Sequence, residues 1–331
     1  MSVVVPEAAA IPVEPRYAKS KVSVLGKQMA YYEAGSGENS EQTIVFVHGN
    51  PTCSYMWRNV MPHCEGLGRL IAPDLIGMGE SQKLDNVDDP DRYSMKEQFK
   101  YFSAFLDAVG ISTNVTFVAH SWGGTLAAHW ASQHPEAVRG VVSVEVVYVP
   151  FPSWERVPEK IRGGVKLMLR RPFYFGCCSF DLGAFLIMKK NLMLETMPDR
   201  VARPDFVKSG PEMAHYRKGY GDVESRRPIL SFVRSIPVAG EPAEVVTIMD
   251  AGRKWIESTE VPTLFLCVEP GTMTPEDRDF IRTWKNVTEV AVEGAHMVTE
   301  DCPDDVGRAI VKWFQESVLQ ATKPGFSCGE M

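Results

Sequence analysis

A serine, a carboxylate and a histidine together can perform nucleophilic catalysis, and this chain carries one of each in a fitting context. The serine is Ser121, within Val118-Ala119-His120-Ser121-Trp122-Gly123-Gly124. The β-branched run Val115-Thr116-Phe117-Val118 before it reads as a short buried strand. Good helix formers from Thr125 to Ala131 follow, until His134-Pro135 stops them. A strand, a sharp turn and a helix with serine at the apex form a nucleophile elbow. So tight a turn needs small residues two before and two after the serine, and Ala119 and Gly123 occupy those places. The elbow would hold the hydroxyl off the backbone and aim the Trp122 N–H, with the helix N-terminus, at a developing oxyanion. A serine that only caps the helix would leave the same local trace. The rest of the chain has to decide.

The carboxylate is Glu145, at the carboxyl end of the apolar strand Val138 to Val144, where a charge needs either a partner or a task. The histidine is His296, in the loop Glu293-Gly294-Ala295-His296 after a last strand from Thr288 to Val292. Serine, acid and base then come in the chain order of hydrolases built on such an elbow. Each follows a separate strand, at the sheet edge where parallel sheets build their sites. An earlier apolar strand, Thr43 to Val47, ends in His48-Gly49-Asn50-Pro51. The Asn50 N–H there could supply a second oxyanion donor and its side chain a further polar group; the plainer reading is Asn-Pro turn chemistry.

The elements that must position these residues alternate along the chain. Lys21 to Glu33 reads as an opening hairpin with Gly26 in its turn, and Leu70 to Pro73 as a further strand. Ser94 starts an amphipathic helix, with Met95, Phe99, Phe102, Leu106 and Val109 on one face and Gly110 closing it. After Glu145 the chain leaves the sheet through the aromatic stretch Tyr148 to Trp154. The strand–helix alternation is lost until about Pro228, with helical runs such as Leu182 to Leu194. A strand at Val261 to Val268 resumes it, and a helix from about Asp304 to Leu319 closes it. The expected fold is α/β: the α/β-hydrolase fold, a mostly parallel central sheet flanked by helices, with an inserted helical cap. The expected division is a flexible arm at 1–20, the core at 21–153 and 229–320, the cap at 154–228 and a flexible tail at 321–331. Phe151, Trp154 and Met297 are candidates for the wall of an apolar pocket under that cap.

Composition narrows the function. The 331 residues are 44% hydrophobic and 23% charged, in the range of ordinary globular proteins. A net charge of −7 argues against nucleic acid as a partner. No apolar run is long enough to span a membrane, and the first 15 residues lack the basic start and apolar core of a signal peptide. Seven cysteines, with Cys177 and Cys178 adjacent, fit reduced thiols in a cytoplasmic setting. No cluster has metal-ligand spacing, and the phosphate-binding glycine patterns are missing around Asp74 to Ser81. Asn114-Val115-Thr116 and Asn286-Val287-Thr288 match a glycosylation pattern, but both run into strands.

With these residues in place the chain resembles the haloalkane dehalogenase family and its relatives, the Renilla-type coelenterazine luciferases. The likeness rests on His48-Gly49-Asn50-Pro51-Thr52-x-Ser54-Tyr55-x-Trp57-Arg58, on Ala72-Pro73-Asp74-Leu75-Ile76-Gly77-Met78-Gly79, and on Gly294-Ala295-His296-x-x-x-Glu300-Asp301-x-Pro303-Asp304. Arg226-Arg227-Pro228-x-Leu230-Ser231, Ile236-Pro237 and Glu269-Pro270-Gly271 extend it, over roughly residues 20 to 320. The resemblance implies Glu145 as the acid and His296 as the base. It also matches Asn50 and Trp122 to the pair whose side-chain N–H groups hold a departing halide.

The departure is at the nucleophile, where that family carries Asp and this chain has Ser121. A carboxylate that displaces halide forms an alkyl ester, which water can cleave at the carbonyl. A serine doing the same would form an ether and stall. The reading that follows is a cofactor-independent serine hydrolase of esterase or lactonase type acting on a small apolar organic substrate. Its triad would be Ser121, Glu145 and His296, with Asn50 and Trp122 stabilising the oxyanion, no metal, and a monomeric or weakly oligomeric state. The alternatives are a coelenterazine monooxygenase, or a dehalogenase-like protein that binds or traps ligand without turnover.

Overall fold

The computed structural model describes residues 11–35, 41–85, 89, 91–169, 173–175 and 178–321. Cys177 and the tail beyond Ala321 lie outside that set. The opening alternation forms the expected hairpin, with Lys19–Val24 (β1) and Lys27–Ala34 (β2) paired antiparallel. Leu25 and Gly26 close it with φ values of 48° and 79°, the backbone hand that matches strand twist in a two-residue turn. The continuous apolar runs become interior strands: Thr43–Val47 (β3), Arg69–Pro73 (β4), Val115–His120 (β5) and Val138–Val144 (β6). A small hairpin of Phe173–Phe175 (β7) and Cys178–Phe180 (β8) precedes Thr263–Pro270 (β9) and Val287–Gly294 (β10).

Eight strands make one sheet in the order β1-β2-β4-β3-β5-β6-β9-β10. It is antiparallel from β1 through the β2–β4 joint and parallel from there on. β3 and β5 are buried along their whole length, which is why their sequences do not alternate. The helix Met95–Ala108 (α1) starts where Ser94 Oγ accepts a hydrogen bond from Glu97 N and buries Phe102, Phe105 and Leu106. The helix Trp122–Gln133 (α2) is rich in Gly and Ala, so the helix Ala243–Ser258 can press against it. A Cβ added at Gly252 would lie 2.9 Å from that of Ala128.

The segment between β6 and β9 differs from the all-helical cap read from sequence. It contains the helix Glu159–Leu169 (α3), but also the β7–β8 hairpin, where Phe-Tyr-Phe is a strand-forming run. The run Leu182 to Leu194 is not one helix, since Asn191 takes φ 54° between the turns Phe185–Lys189 and Leu192–Glu195. The start of the chain differs too. Pro12 and Val13, assigned to the flexible arm, are tied down by side chains of the core: Pro12 O accepts from Arg58 Nε (3.1 Å) and Asn59 Nδ2 (2.8 Å), and Val13 O from Tyr55 Oη (2.6 Å). Such side-chain-to-backbone contacts leave no mark in residue patterning.

Two buried ion pairs hold the loops at the carboxyl edge of the sheet. Arg58 and Glu300, both fully buried, pair through both nitrogens at 2.5 and 2.8 Å, and Tyr216 Oη adds a bond to Glu300 at 2.6 Å. They join the loop after β3 to the segment after β10 and to the inserted segment. Asp74, after β4, accepts from Lys19 Nζ (2.6 Å), Ser54 N (2.8 Å) and Glu80 N (2.8 Å). Burial alone would raise the Asp74 carboxyl, but the charge and hydrogen bond of Lys19 together with the Glu80 N–H bond hold it below the usual range.

Asp74→Asn would leave the buried Lys19 ammonium with only the half-exposed Glu80 carboxylate, 3.4 Å away, as a counter-charge. We expect a loss of about 3–5 kcal/mol at pH 7, read from the urea midpoint. A depressed carboxylate stabilises the fold fully above its unfolded value near 4 and ceases to do so as pH falls through the lower native value. The gap between variant and parent should therefore narrow towards pH 2; a gap independent of pH would refute the assignment.

Candidate active site

β5 ends at His120 and the chain turns at Ser121 with φ 52° and ψ −126°. That conformation costs a non-glycine residue on the order of 1–3 kcal/mol and is held from several sides. Ser121 N donates to Val144 O (3.3 Å), and Ser121 O accepts from Gly124 N (3.0 Å) and Val147 N (3.4 Å). The turn also needs close backbone approach. A Cβ at Gly123 would lie 2.3 Å from Val47 O, and one at Gly49 would lie 2.6 Å from Ser121 Cβ. Trp122 is the first residue of α2, so its N–H has no acceptor within the helix. Among the described residues the Asn50 N–H likewise has no hydrogen-bond acceptor. Asn50, Ser121 and Trp122 line one cavity. The Asn50 side chain leans on the chain after the cap, with Nδ2 donating to Ile229 O at 3.3 Å.

Strand order builds the rest. Glu145 follows β6, His296 follows β10, and β9 lies between those strands. His296 Nδ1 is 3.1 Å from Glu145 Oε2. Thr272, just past the end of β9, bridges the two. Its N–H donates to Glu145 Oε2 at 2.8 Å, its hydroxyl donates to the same oxygen, and that hydroxyl lies 3.0 Å from His296 Nδ1. Because the carboxylate can only accept, Nδ1 carries the ring proton and Nε2 is free to act as a base. Burial works against ionised Glu145, but the His296 bond and charge and the two Thr272 bonds outweigh it and hold the carboxyl below its usual range.

Two further histidines are structural. His120 Nε2 donates to His296 O at 2.8 Å, and burial, reinforced by the neighbouring His296 ring, pushes its pKa down, so it stays neutral. His48 Nδ1 donates to Gly49 O (2.8 Å) and Nε2 accepts from Leu75 N (2.9 Å); burial lowers its pKa to about 4. These bonds lock the loop that carries Asn50. Ser121 Oγ has no hydrogen-bond partner among the described residues, so its bond to His296 would have to close when substrate is held, as such bonds commonly do.

The cavity measures about 850 Å³ and its walls are mainly apolar, with Val146, Tyr148, Val165, Met168 and Ile281 among them. Of the sequence-derived wall residues, Phe151 lines it. Trp154 and Met297 do not line it. Trp154 packs in a small cluster with Val157 and Val165 under the Lys166 ammonium, and Met297 is buried in the core with its N–H on Arg200 O at 2.9 Å. The local turns after Phe151 and His296 carry both away from the cavity. Thr272 and Arg200, which both line the cavity, went unmarked, because only the order of the strands and the docking of the inserted segment bring them there. Among the described residues no group of three or more His, Cys, Asp or Glu converges as a metal ion would need, and no helix is long and apolar enough to cross a membrane.

Residues 42–223 match a family model described as alpha/beta hydrolase fold. The chain is similar to a haloalkane dehalogenase of Sphingobium indicum, 42% identical over 295 residues, spanning 88% of this chain and 93% of that one. It is 41% identical over 299 residues to a haloalkane dehalogenase of Mycolicibacterium smegmatis, across 88% and 89% of the two chains. The crystal structure of a haloalkane dehalogenase from Bradyrhizobium elkani USDA94 superposes with a TM-score of 0.82 at 32% identity, covering 92% of this chain and 99% of that one.

Thr272→Val should remove the hydroxyl shared by Glu145 and His296 while keeping the backbone bond. The Glu145 carboxyl should then titrate at higher pH than in the parent, which ¹³C NMR of the glutamate side chains can follow. An unchanged Glu145 midpoint would show that the Thr272 hydroxyl does not help to hold the charge.

Proposed function

The chain belongs to the haloalkane dehalogenase family of α/β-hydrolases, and within it we propose that this member is a serine hydrolase that transfers acyl groups from esters or lactones to water. The observation that carries the reading is Ser121 at the apex of the elbow, the position where the resemblance calls for Asp. His296 Nε2 takes the Ser121 proton as Oγ attacks the acyl carbon, and Glu145 orients the ring and stabilises the imidazolium. The tetrahedral oxyanion lies against the Asn50 and Trp122 N–H groups at the positive end of α2. Collapse expels the alcohol, which takes the proton from His296. Water, deprotonated by His296, then attacks the acyl-enzyme carbonyl; the acid leaves and Ser121 regains its proton. Displacement at a saturated carbon by the same oxygen would end in an ether with no carbonyl for water to attack.

Incubation with an active-site fluorophosphonate should add one adduct by intact mass, mapped to Ser121 and lost in His296→Ala. Ester hydrolysis should fall on the order of 10⁴-fold or more in Ser121→Ala. No adduct on the parent would sink the acyl-transfer reading. Light from coelenterazine that survives Ser121→Ala would support the oxygenase alternative in its place. A second outcome concerns halide. The parent should release at most one equivalent from 1-bromobutane per chain, whereas Ser121→Asp, which supplies the carboxylate, should release it repeatedly; repeated release by the parent would contradict the ether argument.

A further inference from the structure

A substrate held for Ser121 has to be fixed at more than one point, and the cavity offers one cation for that purpose apart from the His296 ring. Arg200 lines the same cavity as Ser121, Trp122 and His296. It is the only Lys or Arg to do so among the described residues. Among the described residues its guanidinium makes a single hydrogen bond, Nη2 to the thioether sulfur of Met193 at 3.4 Å, and no ion pair. A thioether is a weak acceptor, so most of the five donors of this side chain are unspent. That contrasts with its neighbour Arg203, which pairs with Glu212 at 2.7 Å and Asp205 at 3.0 Å.

The acids along the same wall do not claim Arg200. Glu145 is engaged by His296 and Thr272. Asp277 accepts from Thr274 Oγ1 at 2.8 Å, within the capping box in which Thr274 caps the helix Pro275–Arg282. Asp199 is exposed and makes no ion pair with its neighbour. Burial pushes the guanidinium below its usual pKa, with only Asp199 opposing. Enclosed charge without a partner is costly, and an anion arriving with the ligand would relieve that cost.

Arg200 is also held in register with the catalytic base. Arg200 O accepts from Met297 N at 2.9 Å, one residue past His296. Ala202 N and Arg203 N both donate to Asp301 Oδ1, at 2.6 and 3.0 Å. The segment carrying Arg200 is therefore strapped to the segment carrying His296, so the charge is preorganised and not on a free loop.

We propose that Arg200 forms an anion subsite in this cavity and that the substrate is an ester or lactone bearing a carboxylate, which the guanidinium grips while the acyl carbon meets Ser121. The planar fork of arginine fits a carboxylate through two parallel bonds. This rests on the acyl-transfer reading for the reaction, though not for the binding.

Kinetics on mono(4-nitrophenyl) glutarate and on the neutral 4-nitrophenyl butyrate test it. The parent should favour the acidic ester by about 10- to 100-fold in kcat/KM. That ratio should collapse in Arg200→Leu through KM and be partly kept in Arg200→Lys, with thermal unfolding confirming that both variants fold. A ratio near one in the parent, or one unmoved by Arg200→Leu, overturns the subsite. If neither ester is cleaved, the acyl-transfer reading fails alone, and calorimetry with glutarate on Ser121→Ala decides the subsite. Millimolar binding lost on adding Arg200→Leu upholds it; no binding, or binding indifferent to Arg200, overturns it. Should Arg200→Leu fail to fold, Arg200→Gln replaces it in both arms.

Discussion

Backbone contact at the elbow is the constraint on which the site depends. Ser121 holds a positive φ because the end of β3, the loop that follows it and the start of α2 meet there without room for a side chain. Gly123 lies against Val47 O and Gly49 against Ser121 itself. A methyl group at either place would drive apart the serine and the Asn50 loop, and with them the two N–H groups offered to an oxyanion. The strain of the turn is met by the surrounding bonds to Val144, Gly124 and Val147. Val144 ends β6 and Gly124 lies in the first turn of α2, so the serine is held by regular elements of the core.

The loops around the elbow are less regular, and buried charge holds them. Arg58–Glu300 couples the Asn50 loop to the segment after His296, and Tyr216 adds the inserted segment to the same pair. Lys19–Asp74 secures the loop beyond β4, where Gly79 at φ 50° passes so close to Asp74 that a side chain would collide with it. Pairs of this kind add little net stability compared with apolar packing. What they contribute is register, since each accepts only one arrangement of the segments that supply it.

Exchanging Asp for Ser changes the electrophile the site can process more than it changes the site. In our proposal the N–H groups near the nucleophile stabilise developing negative charge, whether on a departing halide or on a carbonyl oxygen, while His296 moves the proton and Glu145 holds the ring that carries it. The substrate in our proposal then differs by the charge that the cavity wall presents at Arg200. An apolar wall selects by shape alone, and discrimination by shape is modest; an enclosed guanidinium selects by charge and penalises a ligand that leaves it unpaired.

Much of this protein was legible in its sequence. Ser121 and Glu145 stood out because each ends an apolar run of strand length, His296 because it lies in a Gly-containing loop after the last strand, and Asn50 and Trp122 because they adjoin strand ends. The strands of the main sheet were read within a residue or two, the inner ones because burial on both faces writes itself into continuous hydrophobic stretches, but the β7–β8 hairpin was not. The sequence did not determine which strands are neighbours. That order alone places Thr272 between Glu145 and His296, and the docking of residues 200–203 on Asp301 alone brings Arg200 to the cavity. Trp154 and Met297, expected on the cavity wall, lie off it, because local turns that residue patterning does not reveal carry them away. Periodicity reports which face of an element is buried, and only the tertiary structure decides against what.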